Sequence, residues 1–178
     1  DRGAIRRGEK GFACRFSKRW LPNDHVNGIA VAEDGTAWFA TPGGLGRIER
    51  KNMRLDEKAA YFTKQVEERH VRDGFVCDAR LERQFDYTSW QPKISDNDGL
   101  YTAMYGSAQA FRYAVTREAE AKALAQRSFE ACKWLVDITG TGFPARVIVP
   151  IDWHEPVNEQ YGDAYNKRKQ QSDPFWKL

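Results

Sequence analysis

The hydrophobic period of the chain changes near residue 53, and that change limits what it can fold into. Before it, short apolar runs are broken by Gly, Asp and Pro, as strands and tight turns require. After it, apolar residues recur three and four positions apart over lengths that helices use. The expected class is α+β, with a short antiparallel β piece over about 1–50 and a mostly helical piece over about 54–178.

In the first piece, residues 26–31 are β-prone, Glu33-Asp34-Gly35-Thr36 supplies turn chemistry, and 37–41 predicts the returning strand of a hairpin. Pro42-Gly43-Gly44 turns the chain again into 45–49, where Leu45, Arg47 and Glu49 alternate with Gly46 and Ile48. Phe12, Cys14 and Phe16 alternate with Ala13 and Arg15, which predicts a further strand at 11–16. The basic residues nearby, among them Arg6, Arg7, Lys18 and Arg19, read as a solvated strand edge.

In the second piece, Leu55, Ala59, Phe62 and Val66 predict a helix over 55–69, with Asp56 and Glu57 in the first turn where the macrodipole favours acids. The mixed stretch 72–98 is rich in Asp, Gly and Pro and receives no element. Leu100, Met104, Ala108, Phe111 and Val115 predict a second helix, begun by the capping residues Ser95-Asp96-Asn97-Asp98. Ala121, Leu124, Phe129, Cys132 and Leu135 predict a third over 117–138, joined to the second by a tight turn at Thr116 as an αα-hairpin. Each apolar stripe is expected to face the core. Gly140-Thr141-Gly142 ends the third helix, 147–150 is apolar, and 157–171 reads as a polar surface helix.

Composition narrows the function classes. Among 178 residues, 41% apolar and 13% aromatic are enough for a core, and 28 Lys plus Arg against 25 Asp plus Glu give a net charge of +3, too small to imply nucleic acid. No apolar run approaches the roughly 20 residues of a membrane span, and no signal-peptide pattern is present. The chain does not begin with Met, so an upstream signal or domain stays open. Cys14, Cys77 and Cys132 stand alone, without metal or redox spacing. Serine-hydrolase, P-loop and dinucleotide motifs are missing.

The residues Leu21-Pro22, Gly28 to Val31, Asp34-Gly35, Trp38 and Thr41-Pro42-Gly43-Gly44-Leu45 resemble the repeat of two-component-regulator-type β-propellers, with Trp38 filling the space between blades. From Leu55 onward, Arg69-His70, the run from Ser95 to Tyr105, Phe111-Arg112-Tyr113-Ala114 and Gly142-Phe143-Pro144-Ala145-Arg146 resemble the helical region that follows such a propeller in large bacterial proteins. Those helices look like an (α/α) toroid of the six-hairpin glycosidase type. The resemblance implies a last blade followed by the beginning of a toroid, hence a fragment whose partner is the rest of a parent chain. The expected location is periplasmic or extracellular. The implied function is a carbohydrate-active enzyme, a glycoside hydrolase or polysaccharide lyase acting on a polysaccharide or oligosaccharide. The alternative is a non-catalytic sensor or scaffold module of a propeller-containing protein.

In a toroid, loops entering inner helices line the cleft, so Asp96 and Asp98 are the candidate catalytic carboxylates, with Asn97, Tyr101 and Tyr105 beside them. The competing reading is that the acids only cap the helix. Arg146 either pairs with a uronate carboxylate or locks Asp96 or Asp98 through a buried salt bridge. Trp90 and Tyr87 form a stacking platform or seal the helix pair, and His70 transfers protons or partners a helix C-terminus. Asp96-Asn97-Asp98-Gly99 matches part of a calcium loop, but Ile94 and Tyr105 occupy ligand positions; no cofactor is expected, with Ca²⁺ bound through other loops left open. The cluster Asp152-Trp153-His154-Glu155 could stack a sugar or pack on the helices.

Overall fold

The computed structural model describes residues 2–9, 11–150 and a strand at 176–177. The chain divides into two compact units, Asp1–Leu55 and Asp56–Leu178.

In the first unit, β1 (Ala4–Gly8) and β2 (Gly11–Arg15) form an antiparallel hairpin, and β3 (Gly28–Val31), β4 (Ala37–Thr41) and β5 (Gly44–Ile48) form a three-stranded antiparallel meander. Its first turn is closed by Asp34, whose carboxylate accepts from the Thr36 backbone N–H at 2.8 Å and from the Thr36 hydroxyl at 3.0 Å. The register Ile29↔Phe39↔Gly46 places Phe39 on the inner face. There Ala4, Leu21 and Phe39 form a small core, flanked by Val26, Ala37 and Ile48. Trp38 points to the other face, half-exposed, with the Arg47 guanidinium 5.6 Å from its ring centre. The basic stretch holding Arg6 and Arg7, read from the sequence as a solvated strand edge, is β1, largely exposed and paired with β2.

The second unit opens with α1 (Leu55–Arg69). The mixed stretch that follows holds two hairpins. β6 (Val71–Arg72) pairs with β7 (Phe75–Val76), and β8 (Asp78–Leu81) pairs with β9 (Trp90–Lys93). The signal for the first was Asp73-Gly74: both residues have positive φ, 51° and 88°, as a type I′ turn demands. Strands of two residues are too short to show a period, which is why the turn alone could have found them. α2 (Asp98–Thr116) and α3 (Ala119–Asp137) then form the expected αα-hairpin, turned by Arg117 in the left-handed region at φ 60°. The helices approach closely at Gly106, where a Cβ would lie 2.7 Å from Ser128 Cβ. β10 (Val149–Pro150) pairs antiparallel with β11 (Trp176–Lys177). The sequence-based helix at 157–171 and the Trp153/His154 cluster lie outside the described residues.

Phe75, Ala131, Leu135 and Ile148 form the main core of this unit, with Trp134 stacked on Phe75 at 5.8 Å, and Ile94, Val147 and Val149 form a second cluster. The apolar stripes are where the structure corrects the sequence reading. α1 buries no residue fully, and Leu55 and Phe62 are exposed. The residues of α2 that are buried are Asp98, Thr102 and Gln109, whereas Leu100, Met104, Phe111 and Val115 are 57% to 84% exposed. α3 follows the expectation at Ala121, Leu124 and Leu135 but exposes Phe129. Hydrogen bonding explains the inversion on α2: Thr102 Oγ1 accepts from the Val76 backbone N–H at 2.8 Å, and Gln109 Nε2 donates to Thr63 Oγ1 of α1 at 3.2 Å. The inward side of this helix is fixed by polar partners, not by its apolar stripe.

Candidate functional site

The loop before α2 is tied by hydrogen bonds among its own residues, without a side-chain cap on the helix. Ser95 Oγ accepts from the Asn97 backbone N–H at 3.2 Å, while Asp98 Oδ1 accepts from the Ser95 backbone N–H and hydroxyl, each at 3.1 Å. Asn97, directly before the helix, makes no side-chain cap bond. The spacing that drew attention to Asp98 thus has a structural use.

Asp98 is 0% exposed. Its other oxygen, Oδ2, accepts from Arg72 Nη2 at 3.3 Å. The same guanidinium donates through Nη1 to Asp73 Oδ2 at 2.9 Å and to the Ile148 carbonyl at 3.1 Å. One arginine therefore ties the β6–β7 hairpin, the start of α2 and the segment before β10 together. Burial pushes the Asp98 carboxyl up to about 6, against the pull of Arg72 and the Ser95 hydrogen bonds. The contact to Arg72 is too long to repay full desolvation. Cys77 lies in the same field: burial, and then the Asp98 charge, push its thiol up to about 12, so it stays protonated at neutral pH.

Asp96 goes elsewhere. It is partly exposed, its side chain 26% accessible, and it faces Arg146, which donates to Asp96 Oδ2 at 3.0 Å and to its backbone carbonyl at 3.2 Å. Arg146 does lock Asp96, as one reading had it, but the pair is open to solvent and not the buried bridge expected. The two carboxylates are held by different arginines, Asp98 by Arg72 and Asp96 by Arg146. Among the described residues no cluster of His, Cys, Asp or Glu is arranged to hold a metal.

The remaining candidates disperse. Tyr105 donates to Glu67 Oε1 at 2.8 Å, and Arg127 grips the same carboxylate with two bonds of 2.7 Å, joining all three helices. Burial would raise Glu67, but the bonds from Arg127 and Tyr105 outweigh it and hold the carboxyl below its usual range, while burial and Glu67 push Tyr105 up. His70 lies just past α1 with Nδ1 3.0 Å from the Cys77 carbonyl, so this nitrogen carries the proton in a structural bond. Tyr101 is half-buried on the first turn of α2, Trp90 is half-buried on β9, and Tyr87 is exposed in the preceding loop. Sequence reasoning singled out Asp98 and missed Arg72, its buried partner. The Arg-Asp-Gly-Phe string around a hairpin turn carried no ligand pattern to mark it.

A cavity of about 300 Å³ lies between α2 and α3, floored by small residues including Ala103, Gly106, Ala110 and Ala125 and walled by Phe129. Asp96 and Asp98 do not line it. Comparison with family models, curated proteins and solved structures finds no match. Among the described residues no helix is long and apolar enough to cross a membrane.

Proposed function

We propose that the chain is a non-catalytic scaffold module, a blade-like sheet followed by a helical hairpin that packs through α2 onto a further protein surface. The observation that supports this most is the outward side of α2. Its 19 residues contain two charged side chains, Asp98 and Arg112. The first is buried on Arg72 and the second is engaged by Glu118 and Glu120 at the turn into α3. What faces outward is Leu100, Met104, Phe111, Val115 and small residues, and a helix apolar on that side is built to be covered.

The second reading is the carbohydrate-active enzyme of hydrolase or lyase type. It is favoured by a solvent-accessible Asp96 only two residues from a carboxyl held up to about 6, within the range useful for proton transfer. The two readings separate in one experiment. The protein is incubated with neutral and uronate-containing polysaccharides while reducing ends and the ultraviolet absorbance of unsaturated uronates are followed. The module reading expects neither signal. Product formation that Asp96→Asn or Asp98→Asn abolishes would overturn it.

A further inference from the structure

We propose that the cleft beside the β1–β2 hairpin binds single-stranded nucleic acid, an inference about the first unit that goes beyond the module reading of α2. Charge is unevenly divided along the chain. Residues 1–55 hold 11 Lys plus Arg against 6 Asp plus Glu, a balance of +5, and the remaining residues hold 17 against 19, so the whole-chain value of +3 conceals a basic first unit. A polyanion meets the local excess, not the total.

That excess has a place. Arg6, Arg7 and Arg50, all exposed, line an open cleft of about 920 Å³ together with Phe12 and Glu9. Gly8 and Gly11 face each other across the hairpin there and bring no side chains to fill it. Among the described residues none of the three arginines makes an ion pair, and three guanidiniums outweigh the single carboxylate of Glu9. Other acids of the unit are taken: Glu49 by Arg47, and Asp34 and Asp24 by the backbone N–H groups of Thr36 and Ser17. Phe12 selects a nucleic acid strand over other polyanions. It is 74% exposed, and the register Arg7↔Phe12 puts the ring and a guanidinium on one face of the hairpin. A single strand supplies both partners at once, a base for the ring and a phosphate for the arginine. A sulfated polysaccharide supplies oxyanions without a π-face, and a duplex keeps its base faces stacked.

Fluorescence anisotropy of a labelled oligothymidylate about 12 nucleotides long, inside the roughly 4–16 that a small β fold covers, tests this on the full chain. Binding is expected, with affinity falling against salt at a log–log slope of roughly −2, about −0.7 for each of three phosphate contacts. Arg7→Ala and Arg50→Ala each reduce that slope by about 0.7. Phe12→Ala weakens binding at least about fivefold, the worth of one stacked base, and leaves the slope unchanged. Lys64→Ala, exposed on α1 in the second unit, changes neither. A wild-type chain that gives no anisotropy change at about 100 µM and low salt, the weak end of non-specific binding, overturns the proposal without reference to any variant's folding. Binding that survives both arginine changes overturns the site. Binding that Phe12→Ala leaves intact, and that heparin displaces, assigns the cleft to sulfated polymers and overturns the nucleic acid strand as its occupant.

Discussion

The two sides of α2 invert the usual relation between hydrophobicity and burial. Toward the rest of its unit it turns Asp98, Thr102 and Gln109, and toward solvent Leu100, Met104, Phe111 and Val115. The inward side is held by hydrogen bonds to β7, to α1 and to Arg72. The outward side holds nothing among the described residues, yet it is the more apolar. Periodicity reports which face of a helix is greasy; it does not report which neighbour covers that face.

The sharpest way to break the comparison is to remove the charge that the inward side was built around. Arg72→Met leaves the Asp98 carboxylate buried beside an apolar chain, and the expected loss is about 3–5 kcal/mol in denaturant unfolding. A loss below about 1 kcal/mol, the worth of an exposed pair, would show that Asp98 reaches water. Next is pH. The folded carboxyl of Asp98 titrates at about 6 against 3.8 as its reference value, so between those values the folded chain binds more protons than the unfolded one. This contribution is fully present below about 3.8 and is lost as pH rises through 6, by roughly 3 kcal/mol at 1.36 kcal/mol per unit. Unfolding followed from pH 4 to 7.5 in wild type and Asp98→Asn should show this falling component in wild type alone.

Thr102→Val comes third. It keeps the shape of the side chain and orphans the Val76 N–H, for an expected loss of about 1–3 kcal/mol. Met104→Glu on the opposite side of the same helix should move the stability of the protein by no more than about 0.5 kcal/mol. A polar-to-apolar change that destabilises and an apolar-to-charged change that does not would together establish the inversion by thermal or denaturant melts. The smallest effect belongs to Asp96→Ala, whose partner Arg146 is exposed: under about 1 kcal/mol, shrinking further at high salt.

Local chemistry made much of the fold legible. Asp34-Gly35 marked the β3–β4 turn, the acids at 56 and 57 marked the start of α1, and Ser95 to Asp98 marked the start of α2. Each is decided by neighbours within three or four residues. The β6–β7 hairpin was missed because its strands are two residues long, and the orientation of α2 was missed because Thr63, Val76 and Arg72 lie 46, 26 and 26 residues from their partners on it. For the candidate site, residue types at the helix start were readable from the sequence. The separation of Asp96 from Asp98 was not, since it depends on two arginines on opposite sides of them in sequence, at 72 and 146.

The reach of Arg72 has a consequence for how the protein is made. Its bond to the Ile148 carbonyl spans 76 residues, so the β6–β7 hairpin that carries the arginine is synthesised long before the hub can close. At about 5–20 residues per second the ribosome needs roughly 4–15 s to deliver that carbonyl after Arg72 has been added. During this interval the arginine and Asp98 can meet, but the contact that joins them to the late segment does not yet exist. Closure of the Arg72 hub is therefore timed by synthesis of the segment before β10, and a ribosome pause placed between α3 and β10 would prolong the half-closed state.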